Sequence, residues 1–131
     1  MSLSRPIGRL GRAFSPYRQR LVLDSFSFAE ATVASARSGS AGLASPRMKT
    51  ALSRWRADTR AALRQIQGLP RRVPGRSAAL QTLQTLDTAL LYLNRSFTTT
   101  NTQRAAATAA AARLNMDRYR ELDAKLQRWL R

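Results

Sequence analysis

The sequence predicts an all-α protein: an up-down antiparallel bundle of three long helices, with room for a short fourth from the N-terminal region and a basic N-terminal arm. Three observations lead there. Apolar residues recur at steps of three and four within 48–66, 80–97 and 119–129. Capping and helix-breaking residues separate these segments: Ser45-Pro46, Gly68-Leu69-Pro70, and the run from Thr98 to Thr102. The intervening loops are short, which implies antiparallel neighbours. At 131 residues the chain is one domain. It divides into a basic segment, 1–44, and a helical bundle, 45–131.

Residues 1–44 carry Arg5, Arg9, Arg12, Arg18, Arg20 and Arg37, many Ser and Ala, and only Asp24 and Glu30 as acids. Arg-rich, Ser-rich and acid-poor is the composition of an organellar transit peptide. Ala34-Ser35-Ala36 has the small-x-small form of a processing site. The alternative is a basic arm that stays with the protein. A short helix over about 24–37 is expected, with Phe28 and Val33 as its apolar contacts.

The first long helix is predicted to start at Pro46, because Ser45 is a favoured N-cap and proline at the first position forfeits no hydrogen bond. It should end near Gln67-Gly68, with Gly68 left-handed and Pro70 forbidding continuation. Met48, Leu52, Trp55, Ala62, Leu63 and Ile66 form its core face. The second is expected from about Ser77 to Phe97, striped by Leu80, Leu83, Leu86, Leu90, Leu93 and Phe97, with Gln81, Gln84, Asp87, Asn94 and Arg95 outward. The third begins near Asn101 or Thr102 and runs to the end. Its first half is rich in alanine, and its second carries Tyr119, Leu122, Leu126 and Trp129 at helical steps.

The charge balance is one-sided. Twenty-three Lys and Arg face seven acids, for a net charge of +16, so a negatively charged partner is implied. Between Ser45 and Arg76 nine basic residues stand against the single acid Asp58. Arg54, Arg56, Arg60, Arg64, Arg71 and Arg72 are the candidate partner-binding residues, since guanidinium groups fork onto carboxylates and phosphates.

There is no Cys and no His, which removes thiol, disulfide and imidazole chemistry and the usual zinc ligands. No catalytic residue, cofactor or metal site is expected. Asp117, Glu121 and Asp123 read as a solvated, salt-bridged face, with Glu121 and Lys125 in the favourable i, i+4 order. Trp55, Trp129 and Tyr119 fall on apolar stripes and read as core, while Tyr92 lies off its stripe. No apolar run approaches the roughly 20 residues of a membrane helix.

Several of these features together resemble the PsbQ family of extrinsic photosystem II proteins. They are Arg56-x-Asp58 in a first long helix, Gly68-Leu69-Pro70 at its end, Leu80, Leu83, Leu90 and Leu93 in the next, and Tyr119 to Leu126 in the last. The resemblance spans about 45–130, with Trp55 where the family has Leu and the family's long first helix absent or much shortened. It implies a non-catalytic subunit, peripheral to the thylakoid membrane on its lumenal side. Such a subunit docks as a monomer onto acidic surfaces of membrane-complex subunits and stabilises the oxygen-evolving complex. The competing expectation from charge alone is a basic structural protein binding nucleic acid, in an organellar ribosome or a virion.

Overall fold

The computed structural model describes residues 8–38 and 45–130. They form four helices: α1 Arg9–Arg37, α2 Pro46–Gln67, α3 Arg76–Thr98 and α4 Thr102–Leu130. Consecutive helices pack on one another in antiparallel order. The all-α bundle is therefore as predicted, and no strand occurs among the described residues.

The N-terminal region departs from expectation. Instead of a short helix within an arm, α1 spans 29 residues. The reason is a continuous stripe. Leu10, Phe14, Tyr17, Leu21, Asp24, Phe28, Ala31 and Ser35 recur at steps of four and three, and Leu10, Phe14 and Leu21 are buried in the common core. Pro16 lies within this helix with its ring exposed, where it removes one backbone donor without meeting the core. The Ala34-Ser35-Ala36 triplet lies in the last turns of α1, and Ser35 is buried. The remaining residues of the expected arm, 1–7 and 39–44, lie outside those described.

Helix α2 starts as predicted, with the Ser45 hydroxyl accepting from the Met48 amide at 3.1 Å. Its end is different in detail. Gly68 is right-handed, at φ −72°, and the left-handed glycine is Gly75, at φ 82°, just before α3. The Arg76 side chain caps α2 instead: its Nε and Nη2 donate to the carbonyls of Leu69 and Gln67, each at 2.9 Å. Replacing Arg76 by alanine should cost about 1.5–3 kcal/mol in urea denaturation, the range for hydrogen bonds to a charged group. Lysine, which lacks the fork, should not restore it.

The core layers follow the stripes. Leu52, Ala62 and Ile66 of α2 meet Ala79, Leu83, Leu86 and Leu90 of α3, all essentially inaccessible. Phe28 of α1 joins Trp55 and Phe97, with ring centroids 5.9 and 6.2 Å away. Buried Thr59 and Thr82 return their hydroxyls to backbone carbonyls one turn back, Trp55 and Ala78, at 2.8 and 2.7 Å. Helix α4 is capped by Asn101, whose side chain accepts from the Arg104 amide at 3.0 Å. Trp129, expected in the core, is 46% exposed. It sits on the last turn of α4, where one edge of its ring covers Gly75 and the side chain is otherwise open to solvent on one side.

Candidate functional site

The six predicted arginines do not form one patch. Helix α2 turns Met48, Leu52, Trp55, Thr59, Ala62 and Ile66 inward, and the arginines occupy what is left of its circumference. Arg54 lies on the α1 flank, where it shares a shallow cleft with Ser27, Glu30 and Arg47. Arg60 lies on the opposite flank, 3.8 Å from Asp87 of α3 in a solvent-exposed pair, which contributes little to stability. Arg56 is half-buried, with its Nε enclosed and without a hydrogen-bond partner.

Arg64, Arg71 and Arg72 are brought together at one end of the bundle. Arg64 is in the last turn of α2, and Arg71 and Arg72 are in the loop before α3. All three are exposed and make no ion pair with a described residue. The antiparallel order carries the start of α1 and the end of α4 to the same place. The contact that proves it is at Gly75, which lies against Leu10 of α1 and Trp129 of α4. Arg9, Arg12 and Arg128, also exposed, therefore join this end. None of the seven Asp and Glu side chains lies in the two helical turns nearest it. The result is a cationic pole assembled from three separate parts of the chain.

Inward from the pole the first acid is Asp123, bonded to Arg18 of α1 at 3.1 Å. The sequence pattern places it on a solvated face instead, because its partner is 105 residues away. Asp117 pairs locally with Arg120 at 3.5 Å. Glu121 makes no ion pair with Lys125 or any other described residue. Beside Asp123, burial pushes the Tyr119 phenol above its ordinary range, and the Asp123 charge adds to this. Tyr92 is half-exposed, with the Arg95 guanidinium 5.8 Å from its ring centre.

Sequence reasoning misses one feature at mid-bundle altogether. Asp24 of α1 is 5% exposed and faces Asp58 of α2, and its Oδ2 is enclosed without a hydrogen-bond partner. Burial, then the close approach and charge of Asp58, raise the Asp24 pKa from 3.8 to about 7 against the opposing pull of Arg54 and Arg20. Protonated, Asp24 can lie beside the Asp58 carboxylate across the α1–α2 interface without like-charge repulsion. Its placement on the heptad stripe between Leu21 and Phe28 is the signal that could have shown it.

Fold and surface together define a helical bundle whose described helices are none of them long and apolar enough to cross a membrane. Among the described residues no group of His, Cys, Asp and Glu is placed to hold a metal ion. No protein-family model, no curated protein and no solved structure matches the chain.

Proposed function

We propose that the protein is a non-catalytic docking subunit that binds an acidic surface through its cationic pole. The observation that carries this is the convergence of Arg64, Arg71, Arg72, Arg9 and Arg128 at one end without an acid among them. Closely spaced like charges repel one another in the isolated fold, so such a surface is stabilised by meeting an opposite charge. Forked guanidinium groups suit carboxylates.

In its specific form the proposal is a PsbQ-like subunit, peripheral to the thylakoid lumenal face, docked on acidic subunits of photosystem II and stabilising its oxygen-evolving side. This form rests on the sequence resemblance over about 45–130, which α1 precedes as a further long helix. Purified photosystem II membranes should bind the protein and release it at about molar salt, where screening acts within about 3 Å. The triple variant Arg64→Glu, Arg71→Glu, Arg72→Glu should lose binding by at least about tenfold, with little change in helicity, since exposed positions usually cost under about 0.5 kcal/mol. Retention on RNA or DNA instead, released by nuclease and steeply weakened by salt, would overturn the photosystem assignment.

A further inference from the structure

A second surface lies on the other half of the molecule. Where α1 and α4 approach the end opposite the pole they stand apart, and the side chains there, Ser25 and Ala29 on α1 and Ala109 and Ala112 on α4, are too small to fill the space between them. The gap is an open groove of about 520 Å³. Phe28, Trp55, Leu93 and Met116 line it, Phe26 stands on the α1 lip, and Arg113, Asp117 and Arg120 stand on the α4 lip, Arg120 paired with Asp117 at 3.5 Å. The apolar surface continues outward along α1. Phe26 is 63% exposed and Val33 49%, and with Val22 and Ala29 they fall on one face of the helix. That face ends in Arg37, with Arg47 beside it.

Helix α1 is thus apolar on two sides. One side is satisfied by the core, and the other has no partner among the described residues. A trough walled by two helices and open along its length has the shape to receive a third rod, read by anchors at i, i+3, i+4 and i+7. Its α4 lip has an excess of positive charge, two arginines against Asp117, on a chain that is itself strongly cationic. A second copy of the chain would bring +16 against +16, a repulsion that opposes pairing. Charge therefore selects the occupant.

We propose that the groove between α1 and α4 is the docking site for an amphipathic helix of an acidic partner protein, apolar on one face and carrying Glu or Asp along its flanks. Phe26 and the groove floor take the apolar anchors, and Arg113, together with Arg120 as it exchanges Asp117 for the incoming acid, takes the flanking carboxylates. This site is separate from the cationic pole and does not depend on the function proposed for it.

The test uses the full chain carrying Trp129→Phe, so that Trp55, in the groove, is the remaining tryptophan of two. It is titrated with a synthetic amphipathic peptide bearing Leu at helical spacing and Glu on its flanks, following Trp55 emission. Saturable binding is expected. Phe26→Ser should weaken it by about tenfold, as loss of an interface anchor does, and the pair Arg113→Gln, Arg120→Gln should weaken it and flatten its salt dependence. Both variants should keep the parent's melting temperature, because these side chains are exposed. The pole variant Arg64→Glu, Arg71→Glu, Arg72→Glu should leave the titration unchanged, which separates failure of this site from failure of the other.

Several results would overturn the proposal. One is absence of any Trp55 response, and another is equal binding of a scrambled peptide or of one with Lys in place of Glu. A third is dimerisation in sedimentation that Phe26→Ser abolishes, which would make a second copy the occupant. A fourth is a Trp55 response to vesicles of equal parts phosphatidylglycerol and phosphatidylcholine but not to the peptide, which would make it a lipid surface.

Discussion

Replacing Asp24 by asparagine is expected to stabilise the protein above pH 7 and to remove much of the pH dependence of its unfolding. Folded Asp24 has a pKa of about 7, against an ordinary 3.8. Between those values the folded state holds a proton that the unfolded chain has released. Stability from this group is therefore full below about pH 4 and falls as pH rises to about 7, where it levels off. The substituted amide cannot ionise, so it can lie beside Asp58 without like-charge repulsion. The variant should match the parent near pH 4 and exceed it at pH 8. Each kcal/mol moves the melting temperature by about 3–5 °C in a domain of this size. The readout is the difference between parent and variant across pH, since other groups titrate equally in both. If the two curves run parallel from pH 4 to 8, Asp24 is charged throughout and held by Arg20 and Arg54 instead.

Gly75→Ala should be strongly destabilising, for a local reason. Gly75 is the left-handed residue at the entry to α3, with φ 82°, and a side chain there costs about 1–2 kcal/mol in backbone strain alone. A Cβ would also lie 2.6 Å from the Trp129 ring and 2.7 Å from the Leu10 Cδ2. Trp129 is half-exposed and can swing away, but Leu10 is buried. A total loss of about 2–4 kcal/mol is expected in denaturant unfolding, within the range of backbone and overpacking effects together. Trp129→Leu in the alanine background should recover the ring's share and leave the strain. Full recovery would show that the ring contact is the whole effect. Because α1, α3 and α4 meet here, the same variant should loosen the cationic pole.

The three helices after Ser45 are legible in the sequence to within a residue or two, because local signals mark each boundary. Ser45-Pro46 starts one, Asn101 caps another, and leucines at steps of three and four identify the faces. Helix α1 carries the same heptad, but its composition points elsewhere. Arginine, serine and a proline at position 16 suggest an arm, and they mask the stripe through Leu10, Phe14 and Leu21. Of the six candidate arginines, Arg64, Arg71 and Arg72 converge, while Arg54 and Arg60 diverge to opposite flanks. The six residues from Arg54 to Arg60 turn a side chain about 120° around the helix axis, so closeness in sequence does not mean a shared face.

By itself the sequence determined the class of fold, the number of long helices after residue 44, the strongly cationic character and the want of thiol and imidazole chemistry. Those follow from periodicity, capping and composition, which act within a few residues. Only the tertiary structure decided that Arg9 and Arg128 come to the same end as Arg71, that Asp123 meets Arg18, and that Asp24 is buried facing Asp58. It alone opened the groove where the alanines of α4 face α1. Each of these depends on which helix faces which, and at what height. Packing of whole stripes sets both, and no short window of sequence contains them.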